Sequence, residues 1–508
     1  MAPPTRAIPA FRLPLFALVA GFSTAAMLVP AFVASVGDQD GIARAFFYSA
    51  ILIGVLVTLA SIAAQSSRPF RGAATTLVGA LATYIFLPVL LAVPFVEAVP
   101  DTRFINAYFE MLSCLTTTGA SYYDADRLAD ALHLWRGIVG WIGGLMTWAI
   151  AIAILAPLDL GGFEVSSDAH IPGETLARST GDMRAAHASD RVFRSLRTLL
   201  PIYAGLTAVL WFLLVFTGET PLVAAVHAMS TLSTSGISAS EGDLGPVGSE
   251  LVILIFFCFA LTRRSFLSGI GAELAYRLAR DRELRLAVAT ITLITALLFL
   301  RHWIGALGVD ELGDPSAAIA ALWGSFFTAM SFLTTTGFVS GAWANAQAWS
   351  GLSSPGLVLI GLCLMGGGVA TTAGGIKLLR VYALYRHGQR EIEKLIHPHS
   401  VAGAGRSGRK MRREGAYIAW IFFMLFVLSL AAIMVLLAAT GLGFEEAMVL
   451  AIAALTTTGP LAIYGSTSAI DFAGSSDFAK SILSVAMILG RMELLVLIAL
   501  VNPAFWRA

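Results

Sequence analysis

One pentapeptide constrains this chain more than any other feature. Leu115-Thr116-Thr117-Thr118-Gly119 recurs letter for letter as Leu333-Thr334-Thr335-Thr336-Gly337 and as Leu455-Thr456-Thr457-Thr458-Gly459. A fourth copy, Leu232-Ser233-Thr234-Ser235-Gly236, exchanges two threonines for serine. Self-similarity at intervals of 117, 101 and 122 residues means one structural unit used four times.

Each copy closes a short apolar segment that follows a long one. The grammar of a unit is a long helix, a short acidic loop, a shorter helix of about a dozen residues, the pentapeptide, a polar stretch and a second long helix. Hydrophobic residues make up 57% of the 508 and charged ones only 13%, far more apolar than soluble domains. Many apolar runs reach the roughly 20 residues that cross a bilayer. Two spans near 13–35 and 45–64 precede the units, and the first is too long for a signal-peptide core. The expected fold is therefore an all-α polytopic membrane protein of ten spans. Residues 1–71 form the two leading spans, and the pore repeats are 72–194, 195–283, 284–414 and 415–508. The short helices near 103–115, 220–232, 316–333 and 443–455 are expected to be re-entrant.

Charge orients this scheme. With both termini cytoplasmic, 26 of the 33 Lys and Arg fall on the cytoplasmic side, as the positive-inside bias requires. Acids lean outward, 19 of 32, including Asp101, Asp124, Glu219, Glu445 and Glu446. An acidic outer vestibule concentrates cations.

Non-helical backbone at membrane depth must be buried in protein or face water. Four such strands around one axis can aim carbonyls inward and replace the hydration shell of a cation. Glycine supports this by reaching positive φ, and each short helix points its partially negative C-terminus at the centre. The candidate filter residues are Thr117, Thr118, Gly119, Thr234, Ser235, Gly236, Thr335, Thr336, Gly337, Thr457, Thr458 and Gly459. The plainer alternative is a capped turn between helices.

Two more features stand out. Gly366-Gly367-Gly368-Val369-Ala370-Thr371-Thr372-Ala373-Gly374-Gly375-Ile376-Lys377 interrupts the second helix of unit three. It reads either as a loop at membrane depth or as close helix packing through small residues. Arg491 lies within the last span, where a charge faces a cavity or a partner. Glu493 is two residues on, so the two do not face each other along a helix, and Glu493 reads as structural.

In these elements the chain resembles the superfamily of K⁺ transporters that includes the TrkH/TrkG, KtrB and plant HKT proteins. The resemblance covers the whole chain, and the two leading spans point to the TrkH branch. It implies K⁺ uptake through a single-chain filter. The alternatives are a Na⁺-permeable or H⁺/Na⁺-coupled symporter of the same fold. It implies a gate at Gly366, Gly367, Gly368, Thr371, Thr372, Gly374 and Gly375, although Ala370-Thr371-Thr372 departs from the family's Gly-Ser-Thr. It implies that Arg491 sets a barrier in the lower pore. Residue 119 is Gly, where a Ser in some plant relatives goes with Na⁺ preference. It further implies a homodimer, a cytosolic nucleotide-binding TrkA-like subunit, and residence in the inner membrane of a bacterium among its lipids.

Other classes find little support. Cys114, Cys258 and Cys363 form neither a disulfide framework nor a metal spacing. No phosphate-binding loop or dinucleotide fingerprint occurs, so no cofactor is expected, only K⁺ as the transported ion. A net charge of +1 gives no reason to expect nucleic acid. An organic-solute transporter built on broken helices has two repeats rather than four. An intramembrane hydrolase lacks its residues: the Gly405–Gly408 G-x-S-G lies in the basic 377–414 loop, so no enzyme is expected. His397 and His399 in that loop lack further ligands, and Thr262-Arg263-Arg264-Ser265 departs from the family pattern.

Overall fold

The computed structural model describes residues 15–65, 73–156, 162–163, 188–240, 244–262, 281–305, 315–352, 354–396, 413–466 and 468–494. Every regular element among them is helical. The leading pair is α1 (Leu15–Ala26) with α2 (Leu28–Val36), and α3 (Asp40–Gln65). The helix breaks at Met27, three residues before Pro30, whose ring and missing N–H disrupt the preceding turn. Unit one holds α4 (Ala73–Ala98), α5 (Phe104–Leu115) and α6 (Asp130–Ile150), which continues as a π-turn over Ala151–Leu155. Unit two holds α7 (Ala188–Phe216), α8 (Pro221–Ser233) and α9 (Val247–Leu261). Unit three holds α10 (Arg282–Gly305), α11 (Pro315–Leu333), α12 (Trp343–Ser350), α13 (Gly356–Met365) and α14 (Leu378–Ile396). Unit four holds α15 (Arg413–Ala438), α16 (Phe444–Leu455), α17 (Leu461–Tyr464) and α18 (Asp477–Met492).

Eight helices among the described residues are long and apolar enough to cross a membrane. Seven coincide with expected spans. The eighth is α11, which keeps the expected bounds of 316–333 to within one residue but, unlike the other short helices, is long enough to cross. The second helices of units two to four fall short of that length. α9 ends at Leu261, where Thr262 turns extended, α18 ends at Met492, where Glu493 takes a φ of 62°, and α13 stops at Gly366. The chain is an integral membrane protein. The sides of α3 and α15 carry exposed Ile51, Leu52, Leu59, Leu428 and Val435, as lipid-facing surfaces do.

The interior is built on the second helices and the short ones. In the α6 span 78% of residues are buried, against 22% in the α7 and α15 spans. Glycine lets these helices approach each other's backbone. A Cβ at Gly143 of α6 would lie 2.0 Å from the carbonyl oxygen of Leu115, and one at Gly490 of α18 would lie 2.3 Å from that of Leu455. Units one and four thus use the same device at matching positions, a small residue against the last turn of the pore helix.

Candidate functional site

All four short helices end in the same way. In unit one the Thr117 amide donates to Cys114 O at 2.9 Å and the Thr118 amide to Ser113 O at 2.8 Å. The corresponding pairs are Thr234 to Thr231 and Ser235 to Ser230, Thr335 to Phe332 and Thr336 to Ser331, and Thr457 to Ala454 and Thr458 to Ala453. This is the paired-bond helix stop that usually carries glycine in the left-handed position. Here threonine occupies it, with φ of 53°, 53°, 58° and 53° at Thr117, Thr234, Thr335 and Thr457. A β-branched residue is uncommon there and is held by its surroundings. The sequence reading missed this, because nothing in the residue types marks it. The capped turn and the strand that departs from it are one structure.

The hydroxyls divide their work. The first and third of each element pair with one another: Thr116 with Thr118 at 2.8 Å, Ser233 with Ser235 at 3.0 Å, Thr334 with Thr336 at 3.0 Å and Thr456 with Thr458 at 3.3 Å. The middle hydroxyls of Thr117 and Thr457 are buried and have no partner among the described residues.

The four glycines meet. A Cβ at Gly119 would lie 1.8 Å from Ser235 O, and one at Gly236 would lie 2.2 Å from Thr336 O. At Gly337 it would lie 2.9 Å from Pro460 Cγ, and at Gly459 2.2 Å from the Ala120 nitrogen. Each glycine abuts the next unit, and the series closes on itself. Three of them take positive φ, namely Gly119 (70°), Gly236 (65°) and Gly337 (84°). Gly459 does not, which departs from the expectation for all four. Pro460 caps the one-turn α17 immediately after it, and the Gly459 amide donates to Thr118 O at 2.6 Å.

Against the ends of the short helices lies the glycine-rich segment, a loop from 366 to 377. Its glycines face backbone: a Cβ at Gly368 would lie 2.2 Å from Leu261 O and one at Gly374 2.1 Å from Thr456 O. The loop and the close packing read from the sequence are both present. Thr372 Oγ1 donates to Leu232 O at 3.1 Å, and the Gly374 amide to Thr335 Oγ1 at 2.7 Å. The Gly368 amide donates to Ala260 O at 3.0 Å, and Thr371 Oγ1 to Gly368 O at 2.7 Å. Lys377 Nζ turns back onto Ala373 O. The loop thereby touches the pore-helix ends of units two, three and four.

Arg491 is buried against the loop. Its Nη1 donates to Thr372 O at 2.6 Å and its Nε to Thr147 Oγ1 at 2.7 Å, while Nη2 has no partner among the described residues. Glu493 instead accepts from Arg380 Nη2 at 2.8 Å. Arg380 is fully buried and lies 3.8 Å from the centre of the Phe422 ring. A cavity of ≈ 40 Å³, room for a few waters, is lined here by Tyr84, Thr147, Lys377, Arg491 and Glu493.

The sequence reading did not single out the buried ionisable residues Glu110, Arg136, His227 and Glu250, and it placed Glu219 among the outward acids, whereas Glu219 is buried 3.0 Å from His227 Nδ1. Their signal was available: a charge inside an apolar segment is costly and has a partner. His397, His399, Arg263 and Arg264 lie outside the described residues.

Fold and site together define a class, a polytopic helical membrane protein whose four short helices converge on one centre. A family profile described as "TrkH: Cation transport protein" matches residues 283–506. The Trk system potassium uptake protein TrkH of Vibrio parahaemolyticus is 30% identical over 418 residues, covering 80% of this chain and 81% of that protein. TrkH of Salmonella typhimurium is 29% identical over 497 residues, 95% and 96% of the two chains. The chain belongs to the TrkH family of cation transport proteins. The crystal structure of the potassium transporter TrkH from Vibrio parahaemolyticus superposes with a TM-score of 0.80 at 24% identity, covering 98% of this chain and 100% of that one, and so shares the fold.

Proposed function

We propose that this chain takes up K⁺ across the cytoplasmic membrane of a bacterium, through a pore whose filter is the ring of four pentapeptides. The observation that carries the reading is the closed contact of Gly119, Gly236, Gly337 and Gly459 beside the glycine-rich loop. The potassium-uptake names of the relatives support it. An ion enters from the acidic outer side, sheds water against the carbonyls of Thr117 to Gly119 and their counterparts, and meets the 366–377 loop as a gate. The unpartnered hydroxyls of Thr117 and Thr457 supply further oxygens toward it. The guanidinium of Arg491 lies against the gate and holds cations out of the lower pore. Both termini are cytoplasmic, the chain pairs with a second copy, and a TrkA-like nucleotide-binding subunit governs it from the cytoplasm.

The test is ion flux in proteoliposomes at a set membrane potential, with K⁺ and Na⁺ compared. K⁺ flux that exceeds Na⁺ flux and is lost in Gly119→Ser and Gly236→Ser is the expected result. Flux indifferent to every filter glycine overturns the reading.

A further inference from the structure

Behind the ring, buried ionisable side chains hold the segment that follows three of the four glycines. In unit one Glu110 of α5 accepts from the Tyr122 amide at 2.8 Å and from Arg136 Nε at 2.7 Å. In unit two His227 of α8 lies 3.0 Å from both Glu219 Oε2 and Ser238 Oγ. In unit three the holding group comes from the neighbouring unit. Glu250 of α9 accepts from Ser340 Oγ at 2.7 Å, from the Gly341 amide at 2.8 Å and from Trp323 Nε1 at 2.5 Å.

Glu250 is 1% exposed. Its Oε2 takes the indole and the hydroxyl, and its Oε1 takes the amide. Three donors converge on one carboxyl group, so it serves here purely as an acceptor. Trp323 lies in α11, while Ser340 and Gly341 are three and four residues past Gly337. The Ser340 amide also leans on Thr328 Oγ1 of the same helix at 3.4 Å. One side chain thus ties together the second helix of unit two, the pore helix of unit three and the outer end of the unit-three strand. The inner end of that strand is already fixed by the left-handed Thr335 and the Thr336 amide bond to Ser331 O.

We propose that Glu250 is a positioning residue for ion selectivity, holding the unit-three filter strand at a carbonyl spacing that suits K⁺ and cannot collapse onto the smaller Na⁺. The proposal rests on the pentapeptide ring being a cation filter. A strand anchored at both ends resists the inward movement that a small ion demands. Charge-assisted hydrogen bonds are the stronger anchors. Glutamine is close in shape but offers one acceptor oxygen and an NH₂ group against three donors. At least one donor is then left facing another donor, and the outer anchor loosens.

The test compares K⁺ and Na⁺ flux through the full-length chain in proteoliposomes for wild type, Glu250→Gln, Glu250→Asp and Trp323→Phe. In Glu250→Gln the Na⁺/K⁺ flux ratio rises about tenfold, the worth of roughly one buried hydrogen bond to a charged group. Trp323→Phe removes the indole that fixes the carboxylate on the same oxygen Ser340 uses, so both strand anchors loosen in part and the ratio rises by about threefold. Glu250→Asp, which keeps the carboxylate, falls between wild type and Glu250→Gln. A residue that only supports the fold lowers both fluxes together and leaves the ratio unmoved. That outcome, or a ratio unchanged in Glu250→Gln and Trp323→Phe, overturns the proposal. If Glu250→Gln is not recovered folded, the Trp323→Phe ratio decides. A K⁺-preferring wild type with insensitive variants defeats only the role of Glu250, whereas a wild type without K⁺ flux defeats the filter reading itself.

Discussion

The Gly374 amide donates to Thr335 Oγ1 at 2.7 Å, so the glycine-rich loop hangs from the threonine that turns the unit-three pore helix into its strand. Thr335→Val keeps the side-chain shape and removes the acceptor. The buried amide is then unpaired, at a cost of about 1–3 kcal/mol. K⁺ flux rises as the loop is released, and thermal unfolding in detergent moves to lower temperature. Flux measured beside unfolding separates release of the loop from general damage, which lowers both.

Gly119 faces the tightest approach in the ring. A methyl group there would sit 1.8 Å from Ser235 O, at a φ of 70°. No side-chain rotation relieves a clash with backbone, so Gly119→Ala displaces the unit-two strand. K⁺ flux is expected to fall by more than about tenfold while the protein still reaches the membrane. Flux and surface abundance measured together check this.

Thr457 combines a left-handed backbone with a hydroxyl that has no partner among the described residues. Thr457→Gly relieves the backbone strain, stabilising the fold by about 1 kcal/mol. If the cap were its only role, transport would be unchanged. The expected outcome is a more heat-resistant protein with weaker apparent affinity for K⁺, read from unfolding curves and the concentration dependence of uptake.

These residues also mark how far the sequence could be read. The repeat, the short helices and the position of the loop were legible because hydrophobic run length and glycine clustering are local signals. The contact of Gly119 with Ser235 was only inferable from symmetry, since it joins residues over a hundred positions apart. The left-handed threonines were not legible: local propensity argues against them, and the surrounding packing overrides it. Unit four broke the symmetry through Pro460. That residue was visible, but its effect on Gly459 depends on the strand of unit one. The extent of α11 was legible to within one residue, as 316–333 against Pro315–Leu333, but its reach to spanning length was not drawn from those bounds.

Arg380 and Glu493 form a buried pair, 0% and 11% exposed at their side chains. Arg380→Ala leaves the carboxylate buried without its partner and costs about 3–5 kcal/mol. The double change Arg380→Met with Glu493→Met recovers most of that loss, because replacing both charges is close to neutral. Unfolding of the two variants in detergent distinguishes them.

Arg491 spends one nitrogen on the loop carbonyl of Thr372 and leaves another without a partner among the described residues. Arg491→Gln removes the charge and keeps a donor. K⁺ flux through the open form increases by about tenfold if the charge repels ions. A drop instead assigns Arg491 to holding the loop. Single-channel or liposome flux reports which.

The bond from the Gly459 amide to Thr118 O belongs to one corner of the ring and has no equivalent at the other three. A tetramer of identical subunits must change all its corners at once when a single codon changes. This chain encodes each corner separately. Selection can therefore tune ion preference, rate and regulation at different corners, one substitution at a time.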